Sequence, residues 1–260
     1  MGLAVEIIAG RITNAAAFAA VTPNTGDSFS VRDFNEQVGA RLEDVWGNQA
    51  TSQTIRIRSP RMHDSSNGIR LVTFPAQTRA LLPHESEEPM FPSDALTVES
   101  SGTAAEVDIV AMMMYYRDLP GITARLENWE AIKPRVHHIL SLQQTLAAPT
   151  TAGDYGPGTA IDTVASALKA NTDYAILGYV LAAECGTVGI KGTDFGNLRV
   201  GGPGSGEADD TREWFVRQSM LHGTPHIPIF NSNNKGNVLV DQSKVALTTT
   251  AAAFILAELA

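Results

Sequence analysis

The chain has 260 residues, 43% hydrophobic and 18% charged, with a formal net charge of −9. That length supports one large core or two smaller ones, and the apolar content excludes a disordered or coiled-coil chain. With 19 Lys and Arg against 28 Asp and Glu and no basic run, a direct grip on nucleic acid or an anionic membrane is not expected.

The opening "MGLAVEIIAG" lacks the basic start and cleavage pattern of a secretory signal, and Glu6 stands where a myristoylation motif needs Ser or Thr. No apolar run reaches the ~18 residues that a membrane-spanning helix needs. The single Cys185 excludes an intrachain disulfide framework and reads as a buried structural thiol.

Over residues 1–118, turn-forming clusters such as "TPNTGD", "DSSNG", "PHESEEP" and "ESSGT" recur roughly every 8–12 residues, the spacing of a β-sandwich or barrel. Strands are predicted over 5–12, 29–34, 54–58, 69–74, 96–99 and 107–116. One stretch differs: in "DFNEQVGARLEDVW", Phe34, Val38, Leu42 and Val45 recur at helical spacing, predicting a short helix.

Residues 119–158 read as a helical connection and loop. Ile122, Leu126, Trp129 and Ile132 share one helical face, which Pro134 should end, and the Gly- and Pro-rich "AAPTTAGDYGPGT" suits a boundary. Ile161, Val164 and Leu168 mark another helical candidate. Strands are then predicted over 174–181, 187–191, 198–200, 214–219, 227–230, 237–240 and 245–259. In "AMMMYY", Met112 to Tyr116, and in "AAAFIL", Ala251 to Leu256, both faces of the strand are apolar, so each lies between layers or under another subunit.

The chain also repeats itself. "TIRIRSPRMHDSSNGIRL" from Thr54 and "TVGIKGTDFGNLRV" from Thr187 both run from an alternating strand ending in a base, through a polar turn with Gly and Asn, to an apolar-Arg-apolar triplet. "NTGDSF" at Asn24 and "NTDYAI" at Asn171 precede the two series. A Pro-bearing loop and a pair of closing strands follow in the same order in both halves. Preserved order predicts a mainly β fold of two tandem jelly-roll β-sandwiches with a few short helices, 1–118 and 159–260; the alternative is a single large sandwich.

Catalytic patterns are wanting. His222 and His226 have zinc-helix spacing, but Gly223 and Pro225 break a helix there and the metalloprotease Glu is absent, so both read as loop residues. On a helix, the adjacent His137 and His138 would point about 100° apart. "GGPGSGEADD" lacks the Lys of a phosphate loop, and Glu207, Asp209 and Asp210 would repel phosphate; they could hold a hard cation, but without EF-hand spacing. Glu85, Glu87 and Glu88 read as a solvated turn. No catalytic, cofactor-binding or metal-binding residue is nominated.

In layout, with paired blocks running from Asn24 to Tyr116 and from Asn171 to Leu259, the chain resembles the double jelly-roll major capsid proteins of viruses and phages. The resemblance implies a non-enzymatic shell subunit located in the virion. Its partners would be copies of itself, in a homotrimer whose six jelly rolls make a pseudo-hexameric tile, and other virion proteins. A decoration, spike or tail-associated virion protein is the alternative. A metal-dependent bicupin-like enzyme is a more distant one, since none of the six histidines forms the His-x-His of a cupin site.

Overall fold

A computed structural model describes residues 2–33, 39–49, 53–60, 67–73, 76–81, 90–92, 94–119, 124–163, 168–205 and 208–260. The short apolar runs of the first half fold as strands β1 (Gly2–Thr13), β2 (Ala19–Ala20), β3 (Thr22–Pro23), β4 (Ala40–Gln49), β5 (Gln53–Arg58), β6 (Ile69–Thr73), β7 (Ala76–Leu81), β8 (Thr97–Gly102) and β9 (Val107–Leu119). They form two antiparallel sheets, ordered β3-β1-β9-β4-β7 and β2-β8-β5-β6.

The second half contributes β10 (Leu126–Glu127), β11 (Val136–Leu146), β12 (Thr159–Ala160), β13 (Asp173–Leu181), β14 (Thr187–Lys191), β15 (Arg199–Pro203), β16 (Ile227–Asn231), β17 (Leu239–Ser243) and β18 (Thr250–Leu259). Its sheets are ordered β10-β16-β13-β18-β11 and β12-β17-β14-β15. Leaving out the edge strands β3 and β10, each half places its first, eighth, third and sixth strands in one sheet and its second, seventh, fourth and fifth in the other. That is the strand order of a jelly roll, and the chain contains it twice in tandem.

The duplication holds residue by residue. Ile57 on β5 pairs with Ile69 and Val98, and Ile190 on β14 pairs with Val200 and Val240. One irregularity repeats too: β4 and β13 shift register at Leu42/Asp44 and Ile176/Gly178, with Glu43 and Leu177 as the extra residues. This matching bulge fixes the correspondence of the two sheets, because one extra residue resets which side chains face the core. Between the sheets of the first roll lie Ile8, Val45, Ile55, Ile57 and Met112; between those of the second, Tyr179, Ile190, Val240, Phe254 and Leu256.

Several expectations are corrected. The helix predicted across residues 34–45 is strand β4 from Ala40 onward, with 34–38 outside the described residues. Its bulge explains the misleading spacing: Glu43 is the extra residue, so Leu42 and Val45, three apart, both face the inner core. The helical connection shrinks to one helical turn, α1 (Trp129–Ile132), followed by a 3-10 turn. Residues 136–146 are not part of it but strand β11, whose Leu140, Leu142 and Leu146 alternate inward.

Residues 214–219, expected as a strand, belong to helix α3 (Trp214–His222), which follows the short α2 (Ala208–Thr211). Trp214, Phe215, Gln218, Ser219 and His222 form its buried face, and Gly223, at φ 64°, ends it with a left-handed residue. Residues 29–33 are not a strand, and Phe34 lies outside the described residues. Ile161 and Leu168 are buried without a helix at either, and Val164 lies outside the described residues.

Candidate association surfaces

Alternation along β1, β4 and β9 sends one set of side chains into the first roll and the other set outward. The outward set, Val5, Ile7, Trp46, Ala111, Met113 and Tyr115, is buried all the same. It joins Val188, Val200 and Trp214 of the second roll in one apolar cluster. The two-sided apolar character of Met112 to Tyr116 is thus satisfied within the chain: the second roll's β12-β17-β14-β15 sheet and α3 cover the first roll's larger sheet. Each large side chain buried there contributes ~1.5–3 kcal/mol.

Close approach depends on glycine. A Cβ at Gly201 on β15 would lie 2.9 Å from Ile7 Cδ1, and one at Gly186 would lie 2.4 Å from Ile109 Cδ1. Trp46 Nε1 donates to the Gly186 carbonyl at 3.0 Å, and Trp46 meets Trp214 edge to face with centroids 6.3 Å apart.

Two buried polar clusters cross the same interface. At one, His226 donates from Nε2 to Glu43 Oε2 at 2.6 Å, while Tyr115 and His222 stack near the imidazole at 5.5 and 5.3 Å. Burial pushes the Glu43 carboxyl up, but the His226 hydrogen bond, the charges of His226 and His222 and the Arg41 hydrogen bond outweigh it and hold the group down at about 2. The bulge in β4 is what turns Glu43 toward the second roll.

At the other, Arg199 lies between two carboxylates, Asp27 Oδ1 and Asp241 Oδ2, each at 3.0 Å, with its guanidinium 3.6 Å from the Tyr155 ring centre. Tyr155 donates its hydroxyl to Asp27 Oδ2 at 2.7 Å, and the Ala9 amide donates there at 2.8 Å. Burial raises both Asp27 and Asp241 above the ordinary carboxylate range despite the Arg199 charge. Nearby, Arg11 pairs with Asp154 at 2.7 Å and Asn24 donates to the Gly153 carbonyl at 2.9 Å. These contacts clamp the rolls in one orientation.

The matching face of the second roll is not covered by the described residues. Val5 is 4% exposed, whereas its counterpart Ile139 on β11 is 57% exposed. Gln143, Thr145, Val180, Ala251 and Ala253 line a shallow groove of about 420 Å³ there. The small residues of β18 make the groove.

The sequence-derived candidates scatter. His222 closes α3 rather than lying in a loop, and His226 follows it before β16. His137 and His138 are exposed beside the bulge of β11, on a strand rather than a helix. Gly201 and Gly202 belong to β15, not to a flexible loop; Asp209 is exposed on α2, Asp210 lies in the same turn, and Glu207 is outside the described residues, as are Glu85, Glu87 and Glu88. Cys185 is buried, and burial pushes its thiol up to about 12. Among the described residues no group of three His, Cys, Asp or Glu could hold a metal ion, and no helix is long and apolar enough to cross a membrane. Sequence reasoning missed Glu43, Asp27 and Arg199, since their partners lie far along the chain and no local pattern marks them.

No protein-family model matches the chain, and no curated protein does. Among solved structures it is similar to the virus-like particle of the Macrobrachium rosenbergii extra small virus at 16% identity, over 45% of this chain and 80% of that one, with a TM-score of 0.28. It is also similar to the Macrobrachium rosenbergii nodavirus at 8% identity, over 99% and 97%, TM-score 0.26, and to the STIV major capsid protein at 6%, over 100% and 97%, TM-score 0.23. The jelly-roll assignment rests on the strand order and register described above.

Proposed function

We propose that the protein is a non-enzymatic structural subunit of a viral or phage shell that self-associates as a homotrimer, three chains supplying six jelly rolls to one tile. One observation carries this reading: within the chain, the large sheet of the first roll is covered by the second roll, while the equivalent sheet of the second roll is left open by the described residues. A surface repeated in one chain but satisfied only once is a head-to-tail contact waiting for another copy, and such contacts close into rings when the rotation permits. We take the two units as residues 1–118 and 159–260, the second completed by β11 (Val136–Leu146), which lies within the 119–158 connection and pairs with β18.

The acidic net charge agrees with contacts to other virion proteins rather than a direct hold on nucleic acid. Negative-stain electron microscopy of the concentrated protein tests the proposal: six-lobed particles are expected, and two-lobed single chains at every concentration would refute it. Metal analysis tests the enzyme alternative, since stoichiometric Fe, Mn or Zn retained through purification would favour a bicupin.

A further inference from the structure

The register shared by the rolls identifies, residue for residue, what the open face would meet. By the bulge shared by β4 and β13, Met113 corresponds to Ile255, so their partners Ile7 of β1 and Ser141 of β11 correspond, as do Ile109 and Ala111 of β9 with Ala251 and Ala253 of β18. By the pairing of Ile57 and Ile190, Gly189 and Gly201 of the covering sheet correspond to Arg56 and Arg70 of the first roll's smaller sheet. Asp241 corresponds to Glu99 in the same way.

Side-chain size inverts at Ile7/Ser141 and Ile109/Ala251 and, on the opposing sheet, at Gly189/Arg56 and Gly201/Arg70, while Ala111/Ala253 and Asp241/Glu99 keep theirs. Inside the chain, large residues of the inner sheet meet glycines, as Ile7 does at Gly201. On the open surfaces the inner-sheet position carries the small Ser141 and Ala251, and the opposing position carries arginine. The arginines stand out as a packed group: Arg56 and Arg70 hold the Phe18 ring at 4.1 and 5.5 Å, and Glu99 accepts from Arg56 at 2.7 Å and Arg58 at 2.8 Å. Val72, next along the same face, is 63% exposed.

We infer that the groove on the second roll receives the Phe18, Arg56 and Arg70 cluster from the first roll of a second copy of this chain, seated as the second roll is seated on the first within one chain. The inference rests on the self-association proposed above and adds its contact surfaces and register. Large side chains on one surface fill a groove of small ones on the other, and exposed Gln143 and Thr145 can accept from guanidinium groups. Arginines stand where the covering sheet has Gly189 and Gly201, so this contact meets the groove with charge where the intrachain one meets Ile7 with glycine. Charged surfaces between chains stay hydrated in each free chain, whereas the contact inside the chain is permanently buried.

Mixing two chains that each carry one added cysteine tests it. Ser141→Cys and Arg70→Cys occupy the positions equivalent to Ile7 and Gly201, and the native thiol, Cys185, is buried. With a short bismaleimide, a cross-linked pair is expected in the mixture and in neither variant alone. Ala251→Arg, an exposed position, should fill the groove and lower the associated mass at least tenfold in affinity while leaving the thermal melt unchanged. If the wild type associates but the mixture does not cross-link and Ala251→Arg associates normally, the assigned surfaces are wrong although self-association stands. A wild type that stays monomeric would overturn both.

Discussion

Trp46 of the first jelly roll donates its indole N–H to the carbonyl of Gly186 in the second, 3.0 Å away and shielded from solvent. The contact joins two features of one interface: a side chain that only an outward-facing strand position could present, and a glycine that lets it approach. Trp46→Phe should cost ~1 kcal/mol through the lost hydrogen bond, and Trp46→Ala ~3–5 kcal/mol. Denaturant unfolding followed by circular dichroism would measure both.

Gly201→Ala should destabilise by ~1–3 kcal/mol, since the new Cβ would lie 2.0 Å from the Val188 carbonyl oxygen and 2.9 Å from Ile7 Cδ1. Gly223→Ala makes no such contact, so at Gly223 only the cost of its left-handed backbone should appear. Gly201 also has a positive φ of 157°, so thermal melts of the two variants compare a site disfavouring a side chain on both grounds with one disfavouring it by backbone conformation alone.

Asp108, on β9, accepts from Asn14, yet burial, helped by Glu106, raises its carboxyl to about 6. The folded chain therefore binds a proton that the unfolded chain, with an ordinary carboxylate near ~3.9, releases. Stability from this group should rise as pH falls from 7 toward 4. Asp108→Asn should flatten that part of the pH profile, read as melting temperature against pH.

Glu43 has the opposite sign. Held at about 2 in the folded chain, its carboxyl contributes stability that is complete above the unfolded value of ~4.3 and is lost as pH falls toward 2. Glu43→Gln should cost ~1.5–3 kcal/mol at neutral pH by weakening the His226 contact, and should lose less further stability below pH 4 than the wild type. Urea titrations at pH 7 and pH 3 give both values.

Much of the fold is legible in the sequence, and the reasons for the misses are local. The hairpins at Thr54 and Thr187 are readable because alternation, an Asn and Gly turn, and a return strand all agree. Strand β4 is not, because its bulge spaces Leu42 and Val45 like a helix, and β11 is hidden by the neighbouring helical turn and Pro134. In α3, "WFVRQS" reads as a strand until His222 and Gly223 supply the helical spacing and the stop. The interface was half visible: Met112 to Tyr116 announces a covered outer face but not the cover, which Glu43–His226 and Asp27–Arg199 supply from sites over 170 residues apart.

The mass of the protein in solution tests the central claim most directly. Light scattering across a concentration series is predicted to converge on three times the 27.7 kDa chain, about 83 kDa, before any larger assembly. A mass that stays at 27.7 kDa up to millimolar concentration would contradict the account of this chain as a self-associating shell subunit.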